Sequence, residues 1–596
     1  MTLLTCFLLS MALALVGYGV FLRFNMGLAR NSRGQQLRRY LFGGLLSFAS
    51  LLLSGCTGGA LVGIVVTALL WIATYNILYD KTYRKSSPDY DNHMDIAFGI
   101  YLLGWLAGVY ALFYWLSPLV GPIFFTLLET LLVAVPLVQL VYYVLYHSVI
   151  DIRGMQVILE TNGNEIIEFR KSFKLWQQAA MVLPFIAVPA LLLWTNYTTI
   201  LFPHYPLWKQ VVSVALTVFL TVFIWKWKHG VFVRTGLAML YQDIREYEHR
   251  NAHYKQEMDL RLQQLVVMPA KERDDHPHTV IMVIGESACR DYMSAFTPQP
   301  WQTTPWETEM KDDQRHWMFF PNAYSCAMQT VPSLERALTE ASLYNDKKFA
   351  EAVSIVDIAH KMGFKVHWYS NQGHIGANDT PVTLVAETSD VAKWTKQELG
   401  KPYYDSSLIS FLDEVDPQKN NFVVIHLKGS HFNYEDRYTP QFAAENGLVN
   451  GDNVLNYRNS ILFTDSILKA IYEYGVDRLH LQAMVYFSDH GAMPDHRRHP
   501  WFLGFRMVRI PLWVYLSDDY QRRHPEATKA LKDNQQRYFT NDLAYDLMCG
   551  ILDIQSQHYD PSNSLASSQY RFTREMLLTD EGRVRLTDED TWKDKQ

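Results

Sequence analysis

The chain has 596 residues, more than one ordinary domain holds, so at least two domains are expected. Hydrophobic residues make up 49% and charged residues 19%, and the net charge of −6 offers no basic surface, which excludes nucleic acid as a partner. Of the five cysteines, Cys6 and Cys56 lie in apolar runs, so at most one disulfide is expected among Cys289, Cys326 and Cys549; with no closely spaced pair, cysteine usage leaves the redox compartment open.

In chain order, residues 1–229 are dominated by apolar runs near 2–22, 41–56, 59–79, 95–116, 123–147, 177–195 and 209–225. Helices of this kind cross about 30 Å of hydrocarbon, so the segment is predicted to be a transmembrane domain of five to seven helices. The break Ser54-Gly-Cys-Thr-Gly-Gly59 makes the second and third runs the weakest pair. The first run has neither a basic leader nor a small-residue cleavage site, so it reads as a span and not as a signal peptide. Trp71, Trp105, Trp115, Trp194, Trp208 and Trp225 sit in or near run ends, where interfacial aromatics belong. The segment 23–40 carries Arg23, Arg30, Arg33, Arg38 and Arg39 without an acid, which reads as cytoplasmic. With seven spans that rule alone would place the C-terminal half on the same side.

Residues 230–278 are polar and charged. Leu237, Leu240, Ile244 and Tyr247, then Met258, Leu260, Leu262 and Leu265, recur at helical spacing, which suits an amphipathic interfacial helix and linker or an ordinary connecting helix.

Residues 279–596 alternate apolar strands with helices. Strands are predicted at 278–285, 365–369, 421–427, 482–488 and 510–516, and helices at 354–362 and 456–474. This order implies an α/β sheet with its site at the strands' C-terminal ends. Polar residues fall there: Glu286 after the first strand, His431 four residues beyond Leu427, and Asp489-His490 after the strand ending at Ser488. Carboxylates and imidazoles converging from separate strand ends suit a divalent metal such as zinc.

These residues carry a resemblance. Val283-Ile-Gly-Glu-Ser287, Thr303-Thr-Pro305, Asn322-Ala-Tyr-Ser325 and Ser488-Asp-His-Gly491, as an ordered set over 279–520, resemble the phosphoethanolamine transferases of the alkaline phosphatase/sulfatase superfamily. The resemblance implies a helical transmembrane N-terminal domain joined to an α/β sulfatase-like catalytic domain over 279–596. It also implies zinc (one ion or two, manganese being the alternative) on Glu286, Thr330, Asp489 and His490. Thr330 takes the nucleophile's place because Ser325-Cys-Ala-Met-Gln-Thr330-Val-Pro-Ser333 leads into a helical Leu334-Glu-Arg-Ala-Leu338. A helix start also favours an incoming phosphate. The alternative makes Thr330 a helix cap, with Ser287 and Ser325 as substitute nucleophiles. The single threonine before the helix is closer to the lipopolysaccharide-core branch than to the cysteine-flanked lipid A branch.

The family's phosphate-binding histidines map to His431, in His426-Leu-Lys-Gly-Ser-His431, and to His499 or His496, in Pro494-Asp-His-Arg-Arg-His-Pro500. His499 is favoured, as it precedes Pro500-Trp501. Met155-Gln-Val-Ile-Leu-Glu-Thr161-Asn-Gly-Asn-Glu165 resembles the family's donor-binding loop, with Thr161 and Glu165 at its polar positions and Val157 where asparagine is usual.

The function implied is two-step transfer of phosphoethanolamine from phosphatidylethanolamine to a lipopolysaccharide or other glycan acceptor through phospho-Thr330. The implied location is the bacterial inner membrane, with the catalytic domain periplasmic, against the basic 23–40 segment. A phosphoglycerol transferase or a phosphatase/sulfatase-type hydrolase of the superfamily is the nearest alternative. A formylglycine sulfatase is excluded, since Cys326-Ala-Met-Gln does not fit Cys/Ser-x-Pro-x-Arg.

Overall fold

A computed structural model describes residues 2–592 except 25–29, 84–92, 147–149, 151–169, 171–172, 200–204, 227–229, 239–240, 243–244, 246–253, 255–259, 268–276, 373–379, 396–401 and 497–500. The chain divides into one unit of Met1–Gln156 with Phe173–Glu246 and another built on Tyr247–Gln596.

The first unit holds helices α1 (Leu3–Phe24), α2 (Arg30–Ser54), α3 (Gly58–Tyr83), α4 (His93–Leu116), α5 (Gly121–Tyr146), α6 (Leu175–Tyr197) and α7 (Leu207–Trp225). Six of them, all but α2, are long and apolar enough to cross a membrane. The N-terminal half of α2 spends its length on Arg30, Arg33, Arg38 and Arg39, so only its second half is continuously apolar. Gly55 makes the α2–α3 corner at φ +67, a left-handed conformation that side chains with a Cβ resist. Polar contacts tie the bundle together where lipid offers no hydrogen bonds. Glu129 on α5 accepts from Thr67 on α3 at 3.3 Å and from Asn196 on α6 at 3.1 Å. Ser47 and Ser50 of α2 donate to the Ile100 and Gly104 carbonyls of α4.

The second unit is an α/β sheet. Its strands are β1 (Thr279–Gly285), β2 (Trp317–Phe319), β3 (Ala323–Tyr324), β4 (Lys365–Ser370), β5 (Val391–Trp394), β6 (Asn421–His426), β7 (Leu481–Ser488) and β8 (Leu512–Leu516). The main sheet runs β2-β8-β7-β1-β6-β4-β5, with β3 pairing elsewhere, beside Phe539–Thr540. The five strands from β7 to β5 are parallel, and β8 and β2 complete one edge antiparallel.

Central β1 is buried along its whole length, as a parallel strand covered on both faces must be. Val280, Met282 and Ile284 enter one core, whereas Ile281 and Val283 enter the other. Helix Ile355–Lys361 starts at a reciprocal cap: Ser354 Oγ accepts from Asp357 N at 3.0 Å, and Ser354 N donates back to Asp357 Oδ2.

Tyr254 stacks on Phe349 with ring centroids 4.3 Å apart, and Tyr254 and Leu265 join the hydrophobic core of the second unit. The division between units thus falls inside the stretch 230–278, most of which lies outside the described residues. All five cysteines are buried free thiols.

Candidate active site

Strand register assembles the site. Gly285 of β1 pairs with Ser488 of β7, so the next residues along each strand, Glu286 and Asp489, emerge side by side at the C-terminal edge. His490 follows, and ligand atoms of Glu286, Asp489 and His490 lie within 4.8 Å of one another in a buried group. His490 Nε2 is 3.6 Å from Glu286 Oε1 and 3.4 Å from Asp489 Oδ2.

Each ligand is oriented by its surroundings. Asp489 Oδ1 accepts from the backbone N–H of Ser287 at 2.8 Å and of His490 at 2.6 Å, which turns Oδ2 inward. That buried Oδ2 has no hydrogen-bond partner among the described residues. His490 Nδ1 lies 2.7 Å from the Gly491 carbonyl, which can only accept, so Nδ1 carries the proton and Nε2 presents its lone pair. Burial and the adjacent Glu286 carboxylate push Asp489 well above the usual carboxylate range. Two buried carboxylates and an imidazole lone pair, one oxygen lacking a donor, form an N/O set that fits a divalent cation such as zinc.

Thr330 reaches the same point from another element. It opens helix Thr330–Ala337, and its Oγ1 donates to Glu286 Oε2 at 3.1 Å. Pro332 in the first turn sacrifices no helical hydrogen bond, because the first N–H groups have no partner within the helix. The helix start is anchored from behind: Ser325 Oγ and Ser333 Oγ each donate to the Asp489 carbonyl at 2.6 Å, and Asn541 donates to it at 2.8 Å. Ser325 is fully buried and engaged in this anchor, so it is built as structure. Ser287, held at φ +58, donates from Oγ to Glu286 Oε1 at 2.8 Å and therefore stands beside Thr330 as a second hydroxyl at the group.

The turn after β6 packs on the Glu286 backbone. Ser430 N donates to the Glu286 carbonyl at 2.9 Å, and His431 N to the Lys428 carbonyl at 3.1 Å, which sets the buried His431 at the end of this turn. His426 is not in the convergent group; it lies edge-on to Trp368, and burial holds its imidazole down at about 4. His496 lies 3.0 Å from Asp495 and is not in the convergent group. His499, Thr161 and Glu165 lie outside the described residues.

Two residues escaped the sequence reading. Gln372 Nε2 donates to Glu286 Oε2 at 3.2 Å and to the Leu427 carbonyl at 2.6 Å, and Lys428 Nζ donates to Gln372 Oε1 at 3.3 Å. Gln372 lies two residues past the end of β4, the same strand-end signal that marks Glu286 and Asp489.

Residues 278–549 match the sulfatase family. Phosphoethanolamine transferase EptC of Escherichia coli K12 is 26% identical over 500 residues, covering 77% of this chain and 85% of that protein. Phosphoethanolamine transferase CptA of Salmonella typhimurium LT2 is 25% identical over 501 residues, with the same coverage. The chain is thus similar to phosphoethanolamine transferases over most of its length and carries a sulfatase domain. The similarity in fold extends through both units: the integral membrane lipooligosaccharide phosphoethanolamine transferase A (EptA) of Neisseria meningitidis superposes with a TM-score of 0.55 at 17% identity. That superposition covers 85% of this chain and 98% of that one. The protein is thus a multi-pass membrane protein carrying a sulfatase-like catalytic unit.

Proposed function

We propose that this protein moves phosphoethanolamine from phosphatidylethanolamine to an envelope acceptor, a lipopolysaccharide or another glycan, through a covalent phospho-Thr330 intermediate. The observation that carries the reading is the Thr330 hydroxyl, 3.1 Å from Glu286 Oε2, at the rim of the Glu286–Asp489–His490 group. The similarity to EptC and CptA, both named as phosphoethanolamine transferases, supports phosphoethanolamine as the cargo.

Glu286, Thr330, Asp489 and His490 would hold zinc, which when bound supplies Lewis-acid polarisation and lowers the pKa of a neighbouring hydroxyl. Thr330 Oγ1 forms a bond to the donor phosphorus as the bond from phosphorus to the diacylglycerol oxygen breaks, and that oxygen takes up the proton Thr330 gives away. The acceptor oxygen then attacks the same phosphorus and loses its proton, and Thr330 Oγ1 leaves and is reprotonated. His431, beside the Glu286 backbone, is assigned to a phosphoryl oxygen, with His499 or His496 as its partner. Thr161 and Glu165 are assigned to the donor head group.

The family resemblance assigns the catalytic unit to the periplasmic side, against the basic 23–40 segment, which the positive-inside rule reads as cytoplasmic.

The test uses the full-length protein in detergent with phosphatidylethanolamine, quenched and digested for mass spectrometry. The peptide bearing Thr330 should gain one phosphoethanolamine in the parent and none in Thr330→Ala. An adduct on Ser287 instead, or undiminished transfer by Thr330→Ala, would overturn the assignment.

A further inference from the structure

We propose that Lys428, acting through Gln372, is a positioning residue that holds the Glu286 carboxylate in its ligand orientation. This rests on the metal-dependent reading above and concerns a chain of residues that reading does not use.

The fold brings the three residues together by strand order. β4 and β6 are neighbours, with Ser370 paired to His426, so the segments leaving their C-terminal ends run side by side. β1 lies on the other flank of β6, with Ile284 opposite His426, and delivers Glu286 to the same edge.

The hydrogen-bond directions are fixed by chemistry. An ammonium group only donates, and carbonyl and carboxylate oxygens only accept. The Gln372 amide must therefore turn Oε1 to Lys428 Nζ at 3.3 Å and Nε2 to Leu427 O and Glu286 Oε2. Swapping the amide would set a donor against the ammonium and an acceptor against two acceptors. Lys428 thus decides which way Gln372 points, and Gln372 decides where Glu286 Oε2 rests.

The lysine is itself held in place. It is 1% exposed, although lysine is almost never fully buried unless paired. Its backbone N–H and that of Gly429 donate to the two oxygens of Asp405 at 2.7 and 2.8 Å. Asn371 also donates to Asp405 at 2.8 Å, which braces the segment bearing Gln372 against the same carboxylate. With Ser287 on Oε1 and with Gln372 and Thr330 on Oε2, the Glu286 carboxylate cannot rotate without breaking bonds. Partners of this kind fix ligand orientation in metal sites, and their loss lowers metal affinity on the order of 10–100-fold.

The experiment measures Zn²⁺ affinity of the full-length chain in detergent micelles by competition with a chromophoric chelator. Lys428→Met, Gln372→Leu and the double variant are compared with the parent, and thermal melting of each zinc-free form checks folding. Each single variant should bind Zn²⁺ roughly tenfold or more weakly. The double variant should be no more than about threefold weaker than the worse single, because both changes break one chain. Zinc binding by Lys428→Met within about twofold of the parent, or losses that multiply in the double, would overturn the role. Should Lys428→Met fail to fold, Gln372→Leu decides alone: unchanged affinity refutes the proposal. A parent that binds no zinc refutes the metal-dependent reading, whereas equal binding by parent and variants refutes only this positioning role.

Discussion

The Thr330 hydroxyl donates to Glu286 Oε2 from the first residue of a helix, so the candidate nucleophile and a candidate metal ligand are already in contact. Zinc bound at Glu286 would meet Thr330 Oγ1 without a rearrangement of either backbone. Thr330→Ala is therefore expected to lose transfer on the order of 10³-fold or more while retaining zinc, because the three other ligands remain. Thr330→Ser, which keeps the hydroxyl, should stay within roughly a hundredfold of the parent. Initial rates on a fluorescent phosphatidylethanolamine, read beside zinc content, check both. Loss of zinc together with activity in Thr330→Ala would show that transfer fails through loss of the metal, and would leave the nucleophile unassigned.

The Asp489 shift predicts how metal removal depends on pH. Burial and Glu286 raise its folded pKa, so the zinc-free fold is favoured with Asp489 protonated. That contribution is fully present below the unfolded value of about 3.9 and is lost as pH rises through the raised value. A bound cation takes the proton's place. The gap in melting temperature between zinc-loaded and chelator-treated protein should accordingly be wider at pH 8 than at pH 5. An equal or reversed gap would show that Asp489 is not a ligand.

How far the sequence reveals this site depends on what each residue answers to. Glu286 and Asp489-His490 are legible because each directly follows a continuous apolar strand, and strand ends are where α/β sites form. Thr330 is legible as a helix start after a strand end. Gln372 carries the same strand-end signal, but that it and Lys428 meet Glu286 depends on β4 lying beside β6, a pairing that no local periodicity encodes. β2, with three residues, and β5, with four, are too short to show a period and go unread. The apolar second half of α2 resembles a span, and only the arginines preceding it within the same helix separate it from the six that qualify.

Orientation has its own test: a reporter fused after Gln596 should be active only when exported. Activity confined to the cytoplasm would place the catalytic unit on the side that the basic 23–40 segment marks.

Away from the site, Glu307 and Asp465 form a buried carboxyl pair. Glu307 Oε1 accepts from Trp513 Nε1 at 2.6 Å, and Asp465 accepts from the N–H groups of Trp306 and Glu307 at 3.0 Å each. Burial raises both groups, Asp465 to about 7, and Glu307 is raised further by Asp465. The pair's contribution is complete at acid pH and is lost as pH climbs through neutrality. Glu307→Gln keeps the acceptor for Trp513 and removes one charge, so it should melt several degrees higher than the parent at pH 9 and close to it at pH 5. Melting curves that shift equally at both values would show that the two carboxyls do not interact.

Gly429 tests how tightly the turn after β6 is fitted to the metal group. It sits at φ +48, and a Cβ there would come within 2.9 Å of both the N and O atoms of Glu286. Backbone atoms cannot swing aside as a side chain does, so Gly429→Ala combines left-handed strain with a clash, together about 1–3 kcal/mol or more. The turn and Glu286 must then separate, carrying Lys428 and His431 with them. Gly429→Ala is expected to lower the melting temperature by several degrees and to weaken zinc binding in the same protein. Zinc affinity matching the parent at unchanged melting temperature would show that this contact is slack, and that Glu286 is held by its side-chain partners alone.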